Sequence, residues 1–212
     1  VTSDASLNKS LLPTANAQPV FYDKYGKEIL IENTPALSPD DIPKSLSDAF
    51  VAIEDKRFYE HKGVDYRRVF GALISNLKSG SLKEGASTIT QQLIKNTHLT
   101  QEKSLKRKLS EMAIAKEVEK NYSKEEIMAM YLSVIYFGAG LYGVKDAAAL
   151  YFGKELDELT VAQCATLAGI IKNPSRYSPK NSIENSTKRR NSFNCSSFLR
   201  RSFLSEILGS CC

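Results

Sequence analysis

Residues 50–63 read FVAIEDKRFYEHKG, a place where an apolar helical pattern runs abruptly into charge. Upstream, SPDDIPKSLSDAFVAIED (38–55) puts Pro43 in a first helical turn and sets Leu46, Ala49, Phe50 and Ile53 at i, i+3, i+4 and i+7. That spacing makes one apolar stripe on a helix ending near Glu54. Glu54, Asp55, Lys56, Arg57, Glu60 and His61 follow within eight residues. Such a cluster is ordinarily a solvated helix end. An acid one residue beyond a buried stripe is also placed for partial desolvation, which suits a carboxylate to general-base work.

Outward from this stretch the pattern is almost all helical. VFGALISNL (69–77) is a second apolar segment, followed by KSGSLKEGAS (78–87), which reads as flexible. Residues 88–96 read as helix, and 100–122 as a long amphipathic helix with Leu105, Leu109, Met112 and Val118 on one face. Ser123 with Glu126, and Thr160 with Gln163, match capping boxes that open helices through IMAMYLSVIYF (127–137) and VAQCATLAGII (161–171). NPSRYSP (173–179) ends the last of these with two prolines. PVFYDKYGKEIL (19–30) alternates around Gly26 as a short strand or hairpin would. GAGLYG (138–143) satisfies G-x-G-x-x-G, but no strand-helix-strand context surrounds it, so it reads as a glycine turn between helices. The expected fold is mainly α, with at most a short N-terminal strand or hairpin.

Composition bounds the rest. The 212 residues are 42% hydrophobic and 25% charged, ordinary for a globular domain. Near-continuous apolar sequence is longest at 161–171, too short to span a bilayer. The chain opens at Val1 and not at Met, so an upstream segment, and with it any membrane anchor, is expected to lie outside it. Residues 56–108 hold twelve Lys/Arg against four Asp/Glu, an excess of +8 that favours an anionic partner. Cys164, Cys195, Cys211 and Cys212 have no metal-ligand spacing and suggest no disulfide framework. The expected organisation is a linker at 1–19, one domain at 20–180, and an atypical tail at 181–212 that reads as disordered or frameshifted after KRRN (188–191).

Two further groups carry chemistry. GASTITQQLIKN (85–96) concentrates Ser87, Thr88, Thr90, Gln91, Gln92 and Lys95, either a capped surface helix or a set of donors for sugar hydroxyls and phosphate oxygens. In RKLSE (107–111), Arg107 and Glu111 stand one helical turn apart and can meet. Beside an anionic ligand Arg107 and Lys108 would be phosphate holders.

EDKRFYEHKG (54–63), GASTITQQ (85–92), RKLSE (107–111) and KEEIMAMYLS (124–133), in this order, closely resemble the peptidoglycan glycosyltransferase domain of penicillin-binding proteins and monofunctional cell-wall glycan polymerases, glycosyltransferase family 51. The family patterns E-D-x-x-F-x-x-H-x-G, G-x-S-T-I-T-Q-Q, R-K-x-x-E and K-x-x-I-x-x-x-Y-x-N are met at Glu54, Asp55, Phe58, His61 and Gly63; Gly85 and Ser87 to Gln92; Arg107, Lys108 and Glu111; and Lys124, Ile127 and Tyr131. The resemblance implies a lysozyme-like two-lobed helical domain, a head and a membrane-associated jaw, the jaw formed by the segment between the first two motifs. It implies polymerisation of lipid II into glycan strands by inverting transfer with release of polyprenyl diphosphate, in peptidoglycan and cell-wall biogenesis at the outer face of the bacterial cytoplasmic membrane.

By the same analogy Glu54 is the general base. Glu111 assists near the diphosphate by orienting basic groups, by holding a divalent cation (Mg or Mn), or as an acid. Asp55, Phe58, His61, Ser87, Thr88, Thr90, Gln91, Gln92, Lys95, Arg107, Lys108 and Tyr131 line the substrate or brace the loop. No residue is a certain metal ligand. The implied partners are lipid II, the growing lipid-linked strand, the membrane surface and other cell-wall synthesis proteins, with no nucleic acid. Ser133 stands where the family has Asn, and the tail departs from the family pattern after residue 191, so the alternative expectation is a catalytically impaired cell-wall or lipid-diphosphate binding module. A lysozyme-like hydrolase, which also needs two carboxylates, is a further alternative at fold level.

Overall fold

The computed structural model describes residues 6–13, 21–22, 28–29, 36–79, 86–98 and 104–194. Among these, helices dominate, as the periodicity predicts. No helix among the described residues is long and apolar enough to cross a membrane. The chain divides into two compact units, residues 1–36 with 57–131, and residues 37–56 with 132–212.

In the first unit β1 (Phe21–Tyr22) pairs antiparallel with β2 (Glu28–Ile29), Phe21 opposite Ile29, the hairpin expected around Gly26. Helix α2 (Tyr66–Ser79) follows the charged stretch. Helix α3 (Ile89–Thr97) opens on a capping box in which Thr88 Oγ1 accepts from Gln91 N–H and Gln91 Oε1 accepts from Thr88 N–H. Helix α4 (Leu105–Asn121) packs on α3, and α5 (Lys124–Val134) begins at the expected Ser123–Glu126 box. The flexible stretch expected at 78–87 falls largely outside the described residues.

The buried face of α4 differs from the expected one. Leu105 and Leu109 are 86% and 66% exposed; of the expected stripe Val118 is buried, together with Glu111, Ile114 and Ala115. A face that carries an acid scores as polar, so periodicity alone selects the neighbouring leucine stripe.

The second unit starts with α1 (Lys44–Glu54), which buries Leu46, Ala49 and Phe50 and ends at Glu54. Helix α5 stops at Val134, three residues short of the expected Phe137, because the glycine-rich stretch is a hairpin: β3 (Tyr136–Gly138) pairs with β4 (Leu141–Tyr142). Gly143 closes it at φ +87°, and a Cβ there would lie 3.0 Å from the Ser133 carbonyl oxygen. This second hairpin corrects both the expected inter-helix turn and the limit of one hairpin.

Helices α6 (Val144–Phe152) and α7 (Val161–Ile170) follow, and α7, buried along nearly its whole length, packs against α1. Asn173 caps a short α8 (Pro174–Tyr177) with Pro174 at its first position, so here proline starts a helix as well as ending one. Part of the expected tail is also helical: α9 (Ile183–Asn194) packs on α7 and buries Ser186. Its serines and charges hide the period, since only one side touches the domain. Residues 195–212 lie outside the described residues.

Gly63 fixes the loop of the first motif. It has φ +84°, and a Cβ built on it meets the Ala115 carbonyl oxygen of α4 at 2.7 Å. Gly63→Ala is therefore expected to cost about 2–4 kcal/mol through left-handed strain and backbone overlap. A urea-denaturation midpoint equal to that of the parent would show that the close approach is not a constraint.

Candidate active site

The first-motif loop is held by groups from three helices. Thr88 Oγ1 donates to the Gly63 carbonyl at 2.7 Å, joining the loop to the start of α3. Lys124 Nζ donates to the His61 carbonyl at 2.8 Å, pairs with Glu119 at 2.7 Å, and stands 4.5 Å from the Phe58 ring centroid. Phe58 is fully buried, with the His61 ring edge-on to it at 6.3 Å. Thr90 Oγ1 donates to Glu119 at 2.6 Å. Thr88, Thr90 and Gln91, expected near substrate, are thus buried and engaged within the fold.

Glu119 and Asp65 are two acids that motif spacing did not single out. Asp65, almost fully buried, accepts two hydrogen bonds from the Arg57 guanidinium, at 2.7 and 3.0 Å, and one from Arg68 N–H at the start of α2. An Asp immediately before a helix, with an Arg eight residues upstream, was the signal for it in the sequence. Burial works to raise the Asp65 carboxyl, but the hydrogen bonds from Arg68 and Arg57 outweigh it and hold the group below the usual carboxylate value.

Around Glu111 the second and third motifs meet. The Glu111 side chain is 2% exposed. Arg107 Nη1 donates to its Oε2 at 3.2 Å, and Lys108 Nζ bonds its Oε1. Lys108 Nζ also donates to Ser87 Oγ at 2.9 Å, which draws Ser87 onto α4. The i, i+4 spacing of Arg107 and Glu111 predicts the first contact. The Ser87–Lys108 contact, 21 residues apart, needs the fold. Arg107 Nε is buried without a hydrogen-bond acceptor among the described residues. Tyr131 Oη donates to Gln92 Oε1 at 3.4 Å, and Lys95 lies on the exposed side of α3.

In the second unit, Glu54 is half-buried at the C-terminal end of α1, the end where the helix macrodipole is least favourable to a carboxylate. Asp55, the next residue, is fully buried in the C-cap position. Arg189 of α9 lies within electrostatic reach of Glu54, its guanidinium carbon 5.5 Å from the Tyr177 ring centroid. Burial lowers the Arg189 pKa, opposed by its electrostatic interactions with Tyr177 and Glu54, and the guanidinium remains cationic at neutral pH. Arg189 sits in the stretch expected to be an irregular tail. Ser133 Oγ accepts from Leu37 N–H at 3.0 Å, a bond that ties the start of this unit to the end of α5.

The Glu111 cluster does not fit a resident divalent cation. Its one carboxylate already takes a cation on each oxygen, and among the described residues no group of three or more His, Cys, Asp or Glu gathers to hold a metal.

Residues 24–195 match the Transglycosylase family, and the chain belongs to that family. Penicillin-binding protein 1A/1B of Bacillus subtilis (strain 168) is 47% identical over 196 residues, 90% of this chain and 21% of that protein. Penicillin-binding protein 2a of Streptococcus pneumoniae (serotype 2, strain D39) is 48% identical over 150 residues, 71% of this chain and 20% of that protein. The crystal structure of penicillin-binding protein 1A from Haemophilus influenzae aligns with a TM-score of 0.42 and 25% identity, over 84% of this chain and 17% of that one. The chain spans about a fifth of the length of these relatives.

Asp65→Asn is expected to destabilise the first unit by roughly 1–3 kcal/mol at neutral pH, through loss of the charged pair with Arg57, while the amide oxygen can still cap α2. Because the folded-state pKa of Asp65 is depressed, its contribution is present above the unfolded value of 3.8 and is lost as pH falls through the lower folded value. The parent's advantage over the variant should therefore be full at neutral pH and shrink below the unfolded value. An advantage independent of pH in denaturation series would refute the charge-based account.

Proposed function

We propose that this domain is a peptidoglycan glycosyltransferase that polymerises lipid II into glycan strands. The observation that carries this reading is the cluster of Arg107, Lys108 and Ser87 about the buried Glu111, in a chain of the Transglycosylase family. Glu54 accepts the proton of the acceptor sugar's 4-hydroxyl as that oxygen forms a bond to the anomeric carbon of the donor strand. The bond from that carbon to the diphosphate oxygen breaks with its electron pair, the centre inverts, and polyprenyl diphosphate leaves.

Each group has a distinct part. Arg107 and Lys108 supply preorganised positive charge where the leaving diphosphate gains negative charge. Glu111 holds both cations in place. Ser87, Gln92 and Lys95 contribute polar contacts to substrate, and the fully buried Tyr131 positions Gln92 through its hydroxyl. Thr88, Thr90, Gln91, Asp55, Phe58 and His61 position the elements that carry them. Arg189 orients Glu54 by its charge. No step is assigned to a divalent cation.

The substrate's lipid places the reaction at a membrane surface, at the outer face of the bacterial cytoplasmic membrane. Helix α2 supports this, since Phe70, Leu73 and Ile74 are 64%, 54% and 53% exposed on it, the pattern of an interfacial helix rather than a core one.

The test is polymerisation of lipid-linked disaccharide-pentapeptide followed by separation of glycan products. Glu54→Gln should keep a parental melting temperature and lose about 10²–10⁴-fold in turnover. Arg107→Ala should lose about 10²–10³-fold. A Glu54→Gln variant as active as the parent sinks the assignment of the base. Lipid II binding without turnover by the parent would favour the impaired binding module, and Ser133→Asn together with a family-like C-terminus should then restore activity.

A further inference from the structure

We infer that the cavity beside the first-motif loop binds the phosphate headgroup of an anionic lipid, at a site separate from the Glu111 cluster. The cavity, of about 640 Å³, lies wholly in the first unit. Its walls bring together Arg57, Lys62, Arg67, Lys116 and Lys120, with Tyr66 between them and three acids, Glu60, Asp65 and Glu119.

Pairing within the fold decides the net character of this cavity. Asp65 is taken by Arg57, and Glu119 by Lys124, which lies outside the lining. Among the described residues Lys62, Arg67, Lys116 and Lys120 remain without a carboxylate partner, set against Glu60 alone in the lining. Lys116 Nζ rests 5.2 Å from the Tyr66 ring centroid, so one of these cations is already held on an aromatic face. Like charges gathered in a concave site repel one another until an anion enters, and the volume is in the range of small-ligand sites.

The geometry of α4 separates this site from the diphosphate cluster. At about 100° per residue, Lys116 lies about 140° around the helix from Glu111, and Lys120 about 180°. Lys116 and Lys120 therefore lie away from the Arg107 and Glu111 side of α4, Lys116 being about 80° around the helix from Lys108.

The neighbouring apolar surface selects a lipid over a soluble anion. Tyr66 and Arg67 line the cavity from the first turn of α2, and Phe70, Leu73 and Ile74 follow at i+3, i+4 and i+7 from them, on the same side of the helix. All three are more than half exposed. A phosphate in the cavity with acyl chains along this stripe satisfies both features at once. Inorganic phosphate or a sugar phosphate satisfies only the first.

The experiment measures binding to vesicles of phosphatidylcholine alone and of phosphatidylcholine with about 30% phosphatidylglycerol, at near-physiological salt. It compares the parent with Lys116→Gln/Lys120→Gln and with Lys172→Gln/Lys180→Gln, a control that removes the same charge from exposed positions of the second unit. Circular dichroism melts confirm that each is folded. The parent should prefer the anionic vesicles, the cavity variant should bind them roughly 10- to 30-fold more weakly, and the control should stay within about twofold.

In a separate arm, inorganic phosphate is titrated into lipid-free parent. Saturable binding of phosphate without preference for anionic vesicles overturns the lipid assignment in favour of a soluble anion. Equal losses in the two double variants, or no loss in the cavity variant, overturn the site. Neither arm contains lipid II, and Glu54→Gln should bind vesicles as the parent does, so failure here is distinct from failure of the glycosyl-transfer reading.

Discussion

One ammonium group holds the first unit in register. Lys124 Nζ, at the start of α5, reaches the His61 carbonyl in the first-motif loop, the Glu119 carboxylate on α4, and the face of the Phe58 ring. Glu119 in turn takes the Thr90 hydroxyl of α3. Both charges are largely buried, at 18% and 4% side-chain exposure. Removing one partner of such a pair typically costs about 3–5 kcal/mol, because the other is left uncompensated away from water. Glu119 lies about two turns beyond Glu111 on the same helix, so the network that seats the loop also sets how α4 meets α3. Gly63 completes the constraint, since the loop can approach Ala115 closely only without a side chain.

Features encoded within four residues were legible in the sequence, and features that needed the fold were not. The capping boxes at Ser123–Glu126 and Thr160–Gln163, the end of α1 at Glu54, and the Arg107–Glu111 pair all follow from local spacing. Thr88 and Gln91 belong to the same class, and their T-x-x-Q spacing pointed to a cap as readily as to a sugar site. Long-range pairings had no such mark: Ser87 with Lys108, Thr90 with Glu119, Lys124 with the His61 carbonyl. The α4 face was misassigned for a related reason. Its core side includes an acid that only its two cations make tolerable, and no periodicity of hydrophobicity can show that. The β3–β4 hairpin was hidden because β-branched and aromatic residues continue a capped helical pattern until three glycines and Ala139 adopt positive φ.

The order of motifs said more about function than about contacts. It identified a glycosyltransferase resemblance over four segments, and the family match over 24–195 agrees with it. Within that family assignment, the structure distinguishes side chains committed to the fold from those with capacity left over. Thr88, Thr90 and Gln91 are buried and bonded internally. Arg107 retains a buried Nε with no acceptor among the described residues, and Lys108 is 37% exposed while bonded to both Ser87 and Glu111.

On the proposed reading, the pairing within the Glu111 cluster bears on turnover as well as on binding. Burying an ion pair gains little stability in itself, because desolvation offsets the attraction. Its value lies in holding two cations in a fixed arrangement that requires no reorganisation when charge develops on a leaving group. On the proposed reading, one carboxylate against two cations leaves a local charge of +1, enough to attract a diphosphate but less than the two bare cations would present. A site with both cations unopposed would hold polyprenyl diphosphate more tightly after transfer than during it. That ground-state affinity for product adds nothing to the chemical step and slows each further addition to the strand. On that reading Glu111 limits how strongly the site binds the group it must release, a role that a carboxylate fills without ever touching the proton removed from the acceptor.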